Sequence, residues 1–407
     1  MLEYIGEITD PVHKHIKFTL VEKEIIDSYI FQRLRGIRQL AGAHLVYPSA
    51  HHTRFEHSLG TMHLAGFAAQ TLLEKGYLDK SIDIEYLRLS ALLHDIGHGP
   101  FSHLFEEALL IDRSNLNHEK IGKKIILNTE INDILTKHGY HSNEICKLSF
   151  GQSDIMYYNE IIAGSLSADM MDYLPRDSFF TGAEYGKIDY HRIISSFEVL
   201  SNNHLGINKS AINSMESMLI SRYQMFKSVY FHKTVRSAEV MLIHSIAYAN
   251  RDLNFSDLSI EEYLLLTDDK IINMICSLSQ ENKAVYLADN YRKRRLLKCV
   301  YEKFLQNKYN IVYNDVNYYN TLKNIEDEYD LDYIFVDLSR APSIPLNPLK
   351  EELNSIMIID KDLEYETPIN EIPLINTITG FIDIVRLYSK NDDRRKVEKI
   401  LKDINII

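Results

Sequence analysis

Apolar positions along this chain recur mostly at helical spacing. Between Val21 and Gly42, Ile26, Ile30 and Leu34 mark one apolar side and leave Asp27, Gln32, Arg35, Arg38 and Gln39 elsewhere around the axis, which predicts a helix. Residues 51–75 predict a second helix that stops at Gly76, a residue suited to a helix C-terminus. Leu89, Leu92, Leu93 and Ile96 fall at i, i+3, i+4 and i+7, so a third helix runs into HDIGHGPFSH and breaks at Gly97, Gly99 and Pro100. Residues 160–182 predict a helix broken at Pro175. Residues 213–250 predict one long helix with Arg222, Phe226 and Tyr230 on one face, and residues 255–305 continue helical. Period two appears at the ends. Residues 1–20, with KHIKFTL and a turn at Asp10-Pro11, predict a short strand pair, and YIFVDL, SIMIID and PLINTITG beyond residue 326 have strand character. The expected fold class is therefore mainly α: a helical core over 1–325, opened by a strand pair, and a smaller C-terminal α+β appendage over 326–407.

Composition narrows the class. A chain of 407 residues can bury a large core, and it contains no apolar run of transmembrane length and no signal-like amino terminus, so a cytoplasmic address is expected. Cys146, Cys276 and Cys299 are widely spaced and include no CxxC, which argues against a disulfide framework or structural zinc. The net charge of -12 argues against a general nucleic-acid surface and leaves room for a local basic pocket for a phosphorylated small molecule.

The candidate chemistry is concentrated in LLHDIGHGPFSHLFE. His94 and Asp95 are adjacent, and an imidazole nitrogen with a carboxylate oxygen are ordinary ligands for a first-row divalent ion. The turn after them aims His98 and His103 into the space in front of such an ion. Arg54 and His57 share one face at the start of the second helix, putting a guanidinium suited to phosphate beside a further ligand. Asp169, Asp172 and Tyr173 stand at i, i+3 and i+4 among apolar neighbours. A buried carboxylate needs a cation or a partner, which makes Asp169 a candidate fourth ligand.

These residues, together with FQRLR, RQL, RFEHSLG, HDIGHGPFSH and DYLPRD, resemble the HD-domain phosphohydrolases. Within them they look like the dNTP triphosphohydrolase branch related to the vertebrate sterile-alpha-motif and HD-domain protein. The resemblance implies an all-helical HD-domain core with the metal site within 51–177, and one divalent metal per subunit (Mg, Mn, Fe, Ni or Zn) held by His57, His94, Asp95 and Asp169. It implies that His98 and His118 lie near the α-phosphate, that Arg54 contacts phosphate, and that His103 protonates the leaving 5′ oxygen. Glu106 stands where the family has aspartate, a carboxylate orienting a histidine. Gln39 and Leu40 match positions that crowd the sugar's 2′ edge, and Tyr173 and Asp177 those that hold its 3′ hydroxyl. Arg222, Tyr230, His232 and Lys233 match the helix lining phosphates and base, where Phe226 departs from the pattern.

Asp27, Gln32 and Arg35 match the family's guanine-nucleotide activator site, and Arg294 and Lys298 match basic residues supplied there by a neighbouring subunit. Gly6, Glu7 and Glu198 depart from that site's pattern. The resemblance thus implies dNTP hydrolysis to deoxynucleoside and triphosphate, a guanine-nucleotide or dNTP activator, and a homodimer or homotetramer. The same metal set also suits a nucleoside monophosphatase, a cyclic-nucleotide phosphodiesterase or a nucleotide-sensing module without turnover.

Overall fold

The computed structural model describes residues 2–78, 81–111 and 116–305, and, beyond these, 322, 324–325, 329, 331–342, 357–360, 365–368, 372–373, 381–404 and 406. The chain opens with an antiparallel pair, Gly6–Asp10 against Lys14–Phe18, with Ile8 opposite Ile16. Asp10 closes the connection by accepting the Val12 and His13 backbone N–H groups, as a side chain at a tight turn does. Among the described residues helices follow as far as residue 292, with the short antiparallel pair Phe197–Val199 and Leu205–Asn208 between them.

The helix Arg54–Glu74 is the axis of this core and begins with a capping box in which Thr53 and Glu56 satisfy each other's backbone. It is buried nearly all round. Phe55, Leu59 and Met62 join one apolar cluster with Phe31, Leu92 and Phe105, while Leu64, Ala68 and Leu72 join a second with Ile161, Met171 and Leu219. Ser81–Leu93 packs along it, feeding Leu89 and Leu92 to the first cluster and Leu87 and Ala91 to the second. His57 and the end of Ser81–Leu93 therefore lie where the two clusters meet, on backbone that packing on both sides holds rigid.

Several elements differ from the periodicity. Val21–Gly42 is not one helix: Leu20–Asp27, Tyr29–Gln32 and a 3₁₀ turn Arg33–Gly36 succeed one another, because Ser28 leaves helical geometry to cap the second piece. His94 and Asp95 follow the helix end at Leu93 instead of riding on it. Pro175 does not break its helix, which runs Ala168–Thr181 and ends at left-handed Gly182; the proline cost of about 3 kcal/mol is offset by burial and by the Asp172–Arg176 pair across the same turn. The predicted 213–250 helix is two, Ile212–Met225 and Lys233–Leu253, joined through a π turn at Phe226–Tyr230.

Residues 255–305 stop being helical at Arg292, and Lys298–Leu305 is a strand whose β-branched Val300 and aromatic Tyr301 and Phe304 suit a sheet better than a helix. That strand and Phe335–Pro342 flank Phe381–Ser389 in an antiparallel sheet covered by Arg394–Asp403. Met357–Asp360 adds in parallel to Leu205–Asn208 and pairs with Tyr365–Pro368. YIFVDL and SIMIID thus contribute strands, and PLINTITG lies, apart from Pro373, outside the described residues.

Candidate metal centre and active site

Four side chains from three places converge. His57 Nε2 lies 3.1 Å from Asp169 Oδ1 and 3.6 Å from Asp95 Oδ2, and His94 Nε2 lies 3.5 Å from Asp95 Oδ1 and 4.0 Å from Asp169 Oδ1. Donors about 2.1 Å from one octahedral first-row ion stand about 3 Å apart in cis and about 4.2 Å apart in trans, and His57, His94 and Asp95 offer donors that all lie within 4.8 Å of one another, with Asp169 within 4.0 Å of both histidines, so the group could hold a single divalent metal. The chemistry of the donors fits as well. His94 Nδ1 donates to the Ala91 carbonyl at 2.7 Å, which leaves the lone pair on Nε2, and Nε2 is buried with no hydrogen-bond partner. A buried nitrogen with no hydrogen-bond partner, facing two carboxylates, is a donor suited to a divalent ion. Burial disfavours a charged His57, yet its bonds to Asp169 and Asp172 lift its pKa to about 10, so the carboxylates demand positive charge here.

Behind the ligands stands a residue to which the sequence assigned no role. Asp172, fully buried, accepts from His57 Nδ1 at 2.7 Å, from His13 Nε2 at 2.7 Å, and from Arg176 Nε and Nη2 at 2.9 Å each. A Cβ on Gly60 would sit 1.8 Å from Asp172 Oδ1, so only glycine leaves room for this carboxylate. Arg176 is held in turn by Asp10 at 2.8 Å. Burial opposes the Asp172 charge, but Arg176, His13 and His57 keep its carboxyl well below the usual range. Its position three residues after Asp169 was a signal for it; His13, distant in sequence, gave none.

In front of the ligands the turn after Leu93 carries the histidines. His98 Nε2 meets Asp95 Oδ1 at 3.1 Å, and its ring stacks on His118 with centroids 4.0 Å apart. Gly97 makes this possible: a Cβ there would come within 2.0 Å of the His118 carbonyl. Glu106 Oε1 accepts from the His118 ring at 2.8 Å and backbone at 3.1 Å, while His98 and His103 stand 3.8 and 4.0 Å from it. The glutamate therefore orients His118 most directly. Burial and the Arg54 charge push His98 well below the ordinary imidazole range; at His103, which is 68 % exposed, the surrounding protein and Arg54 push the same way. Arg54 bonds to Asp95 through Nη1 and to Ser102 Oγ through Nε at 2.6 Å. Asp95 stays ionised despite burial because Arg54, His94 and His98 surround it.

The turn itself is strained and anchored. Phe101 and Ser102 both adopt positive φ of 58°, which costs non-glycine residues about 1–3 kcal/mol each. Asp268, 1 % exposed, accepts the Phe101 N–H at 2.7 Å and the Arg38 N–H at 3.0 Å and pairs with the Arg38 side chain. Arg33 and Tyr263 hold the His98 and Gly97 carbonyls. Neither Arg33 nor Asp268 was legible as a site residue, since both act on backbone.

Around the remaining candidates the structure is uneven. The Arg38–Thr53 bridge sets Gln39 opposite His52, whose carbonyl accepts the Gln39 N–H at 3.1 Å, and the Gln39 Oε1 is buried without a partner; Leu40 is half-buried. Asp177 accepts from His52 at 2.7 Å and Tyr230 at 2.6 Å, and Tyr173 packs edge-on to Tyr230. Burial raises the Tyr173 phenol to about 12, and Arg222, hydrogen-bonded to it, lies over Phe226. Lys233 is exposed and lines, with Arg294, Lys298 and Arg394, a basic groove of about 230 Å³. Gln32 bonds to Arg35 at 2.8 Å, while exposed Asp27 pairs with Lys23. Cys146 is buried and all three cysteines are free.

An interrupted helical core with a His, His-Asp and Asp ion site defines the class, and the comparisons agree with it. Residues 54–175 match the HD domain and residues 188–359 the HD associated region. The chain belongs to the HD-domain phosphohydrolase superfamily. It is 34 % identical to an uncharacterized protein of Methanocaldococcus jannaschii over 98 % of this chain and 84 % of that one. It is 30 % identical to the deoxynucleoside triphosphate triphosphohydrolase SAMHD1 homolog of Dictyostelium discoideum over 72 % of this chain and 60 % of that one. The crystal structure of a hypothetical protein from Aquifex aeolicus superposes with a TM-score of 0.79 at 28 % identity, over 98 % of this chain and all of the other. Among the described residues no helix is long and apolar enough to cross a membrane.

Proposed function

We propose that this protein hydrolyses deoxynucleoside triphosphates to a deoxynucleoside and inorganic triphosphate. The observation that carries the reading is the junction of the two clusters: Asp95 faces the ion site with both oxygens and also holds His98, which stacks on His118 beside His103. A phosphorus atom lying between the ligands and the histidines has a charge sink on one side and a proton source on the other. His57, His94, Asp95 and Asp169 would hold a divalent ion, which would supply Lewis-acid polarisation of phosphate oxygens and a lowered pKa for water.

The chain's own groups do the rest. Arg54, buried beside Asp95, balances phosphate charge, and His98 and His118 sit near the α-phosphate. Water forms the new P–O bond as the bond to the 5′ oxygen breaks, that oxygen takes its proton from His103, and the proton shed by the water passes to solvent, from which His103 is reprotonated. In the free protein His103 favours the neutral form; the incoming polyphosphate supplies the negative charge that raises its pKa and arms it. Gln39 and Leu40 crowd a 2′ hydroxyl, and Asp177, held by His52 and Tyr230, accepts from a 3′ hydroxyl. Arg222, Tyr173 and Lys233 complete the substrate contacts. Asp27, Gln32 and Arg35 of one subunit with Arg294 and Lys298 of another take a guanine-nucleotide or dNTP activator in a homodimer or homotetramer.

The test is chromatography of products after incubating the purified protein with each dNTP, singly and in pairs, with manganese or magnesium. Triphosphate plus deoxynucleoside is the expected outcome, and turnover confined to mixtures reports the activator. Release of orthophosphate from monophosphates alone would move the reading to a nucleotidase.

A further inference from the structure

On the far side of the helix Arg54–Glu74 lies a cavity of about 280 Å³ with no carboxylate among its lining residues, in a chain whose net charge is -12. His63, Gly66, Phe67 and Gln70, at i, i+3, i+4 and i+7 of that helix, form one wall, and Ile84 and Arg88 of Ser81–Leu93 form another. Arg88 is 3 % exposed, and its nitrogens are divided between two tasks. Nε and Nη2 bond to Glu22 at 2.6 and 2.8 Å, and Nη2 also to the Lys17 carbonyl at 2.7 Å. Among the described residues Nη1 has no hydrogen-bond partner, and it is not sealed from solvent, so it opens on the cavity. Gly66 makes room for it, since a Cβ there would come within 2.6 Å of Nη1. Burial opposes the Arg88 charge, but Glu22 more than restores it. The ammonium of exposed Lys17, which has no ion pair among the described residues, stands 6.0 Å from the Tyr4 ring, and the Arg88 guanidinium stands 5.3 Å from the same ring.

We propose that this cavity binds a small anion built on a flat apolar ring, with Arg88 Nη1 and Lys17 holding its carboxylate or phosphate-type head and Tyr4, Phe67 and Ile84 packing its body. Its volume is near the lower end of the range for ligand pockets, about 300 Å³. Two donors in that space suit one head group on one ring system, and they are too few for a triphosphate chain. The cavity also backs onto the carboxylate behind the metal ligands. His63 packs on His13 with ring centroids 5.3 Å apart, His13 bonds to Asp172, and Asp172 to His57. A negative charge bound here attracts a cation at the ion site, and by reciprocity a bound divalent ion tightens the anion by the same factor. The coupling rests on the ion-site reading; the binding does not.

Calorimetric titration of the full chain, free of metal, with 1-naphthoate, 1-naphthylphosphonate and neutral 1-naphthylmethanol tests the proposal. One equivalent of at least one anion per chain is expected, with the alcohol at least tenfold weaker; the tighter anion tells a carboxylate ligand from a phosphate one. Charge reversal at exposed Lys17 leaves the fold intact, and Lys17→Glu should weaken the anion at least tenfold. His103→Ala, in front of the ion site, should leave it unchanged. Absence of binding, equal binding of the alcohol, full affinity in Lys17→Glu or loss of binding in His103→Ala would each overturn the proposal. With the anion bound, Mn²⁺ is expected to bind at least twofold more tightly, and with the alcohol no differently; equal Mn²⁺ affinity in both would remove the coupling.

Discussion

Asp172→Asn tests whether the ion site depends on the carboxylate behind it. The wild-type side chain accepts four hydrogen bonds, two of them from His13 and His57 and two from Arg176, in a space with no exposed surface. An amide keeps the shape but has one oxygen, no charge, and an NH₂ pointed at donors. Removing one partner of a buried ion pair costs about 3–5 kcal/mol. Arg176 keeps Asp10 at 2.8 Å, which places the loss near the lower end, and a fold stable by roughly 5–15 kcal/mol survives it. At the site, His57 loses the acceptor that fixes its Nδ1 hydrogen and orients Nε2. Outer-sphere carboxylates of this kind are worth about 10–100-fold in metal affinity, or about 1.4–2.7 kcal/mol. Calorimetric titration with Mn²⁺, beside a thermal melt, reads both effects. Gly60→Ala supplies the control without a charge change, because its Cβ displaces the same carboxylate. Mn²⁺ affinity within twofold of wild type in both variants would refute the reasoning.

Other expectations follow from the same geometry. His103→Ala should lower kcat by about 10²–10⁴-fold and leave Mn²⁺ affinity unchanged, since His103 is absent from the ligand set; loss of metal in a calorimetric titration would contradict that role. Asp268→Ala removes the acceptor of two backbone N–H groups beneath the strained Phe101–Ser102 turn, and a fall of about 2–4 kcal/mol in urea-measured stability with reduced kcat is expected. Burial lowers His44, His63 and His244 to about 4. Their folded pKa values lie below the unfolded value of about 6.5, so their stabilisation is present above that pH and is lost as pH falls toward 4, by about 1.4 kcal/mol per group for each pH unit between the two values. Urea midpoints at pH 7 and 5 measure the decline. His244→Phe, keeping the stack on Phe335, should lessen it.

What was legible in the sequence was local. His94 and Asp95 stood out because adjacency, a helix period read through Ile96 and the Gly-Pro turn all lie within one short stretch, although the helix itself ends at Leu93. Arg54 and His57 followed from spacing on one helix. The partners that hold these groups come from far away: His13 reaches Asp172 across 159 positions, and Asp268 reaches Phe101 across 167. No period in the chain encodes such pairings. The misplaced helix boundaries have a related cause. Ser28 and the π turn at Phe226–Tyr230 change the backbone path without changing the hydrophobic repeat, and Pro175 is tolerated where its neighbours are tied down by tertiary ion pairs.

The π turn also explains why the C-terminal sheet matters to the site. A run of i→i+5 bonding is less stable than α-helix and persists where its surroundings hold it. Here Phe231 N–H bonds to the Phe226 carbonyl at 2.8 Å, and the next carbonyls are gripped from the sheet: Arg386 Nη2 donates to Phe231 O at 2.7 Å and the Tyr388 hydroxyl to Lys233 O at 2.8 Å. Arg386 is fixed in turn by Glu302 on the neighbouring strand at 2.7 Å. Tyr230, which bonds to Asp177, ends this turn one residue before the Phe231 carbonyl that Arg386 holds. Arg386→Met would keep most of the side-chain volume, leave the Phe231 carbonyl without that donor, and free the turn to drift. A rise in KM with an unaltered ion site is the consequence expected if the sheet braces the substrate wall. An Arg386→Met protein with wild-type KM would mean that the π turn holds Tyr230 without it.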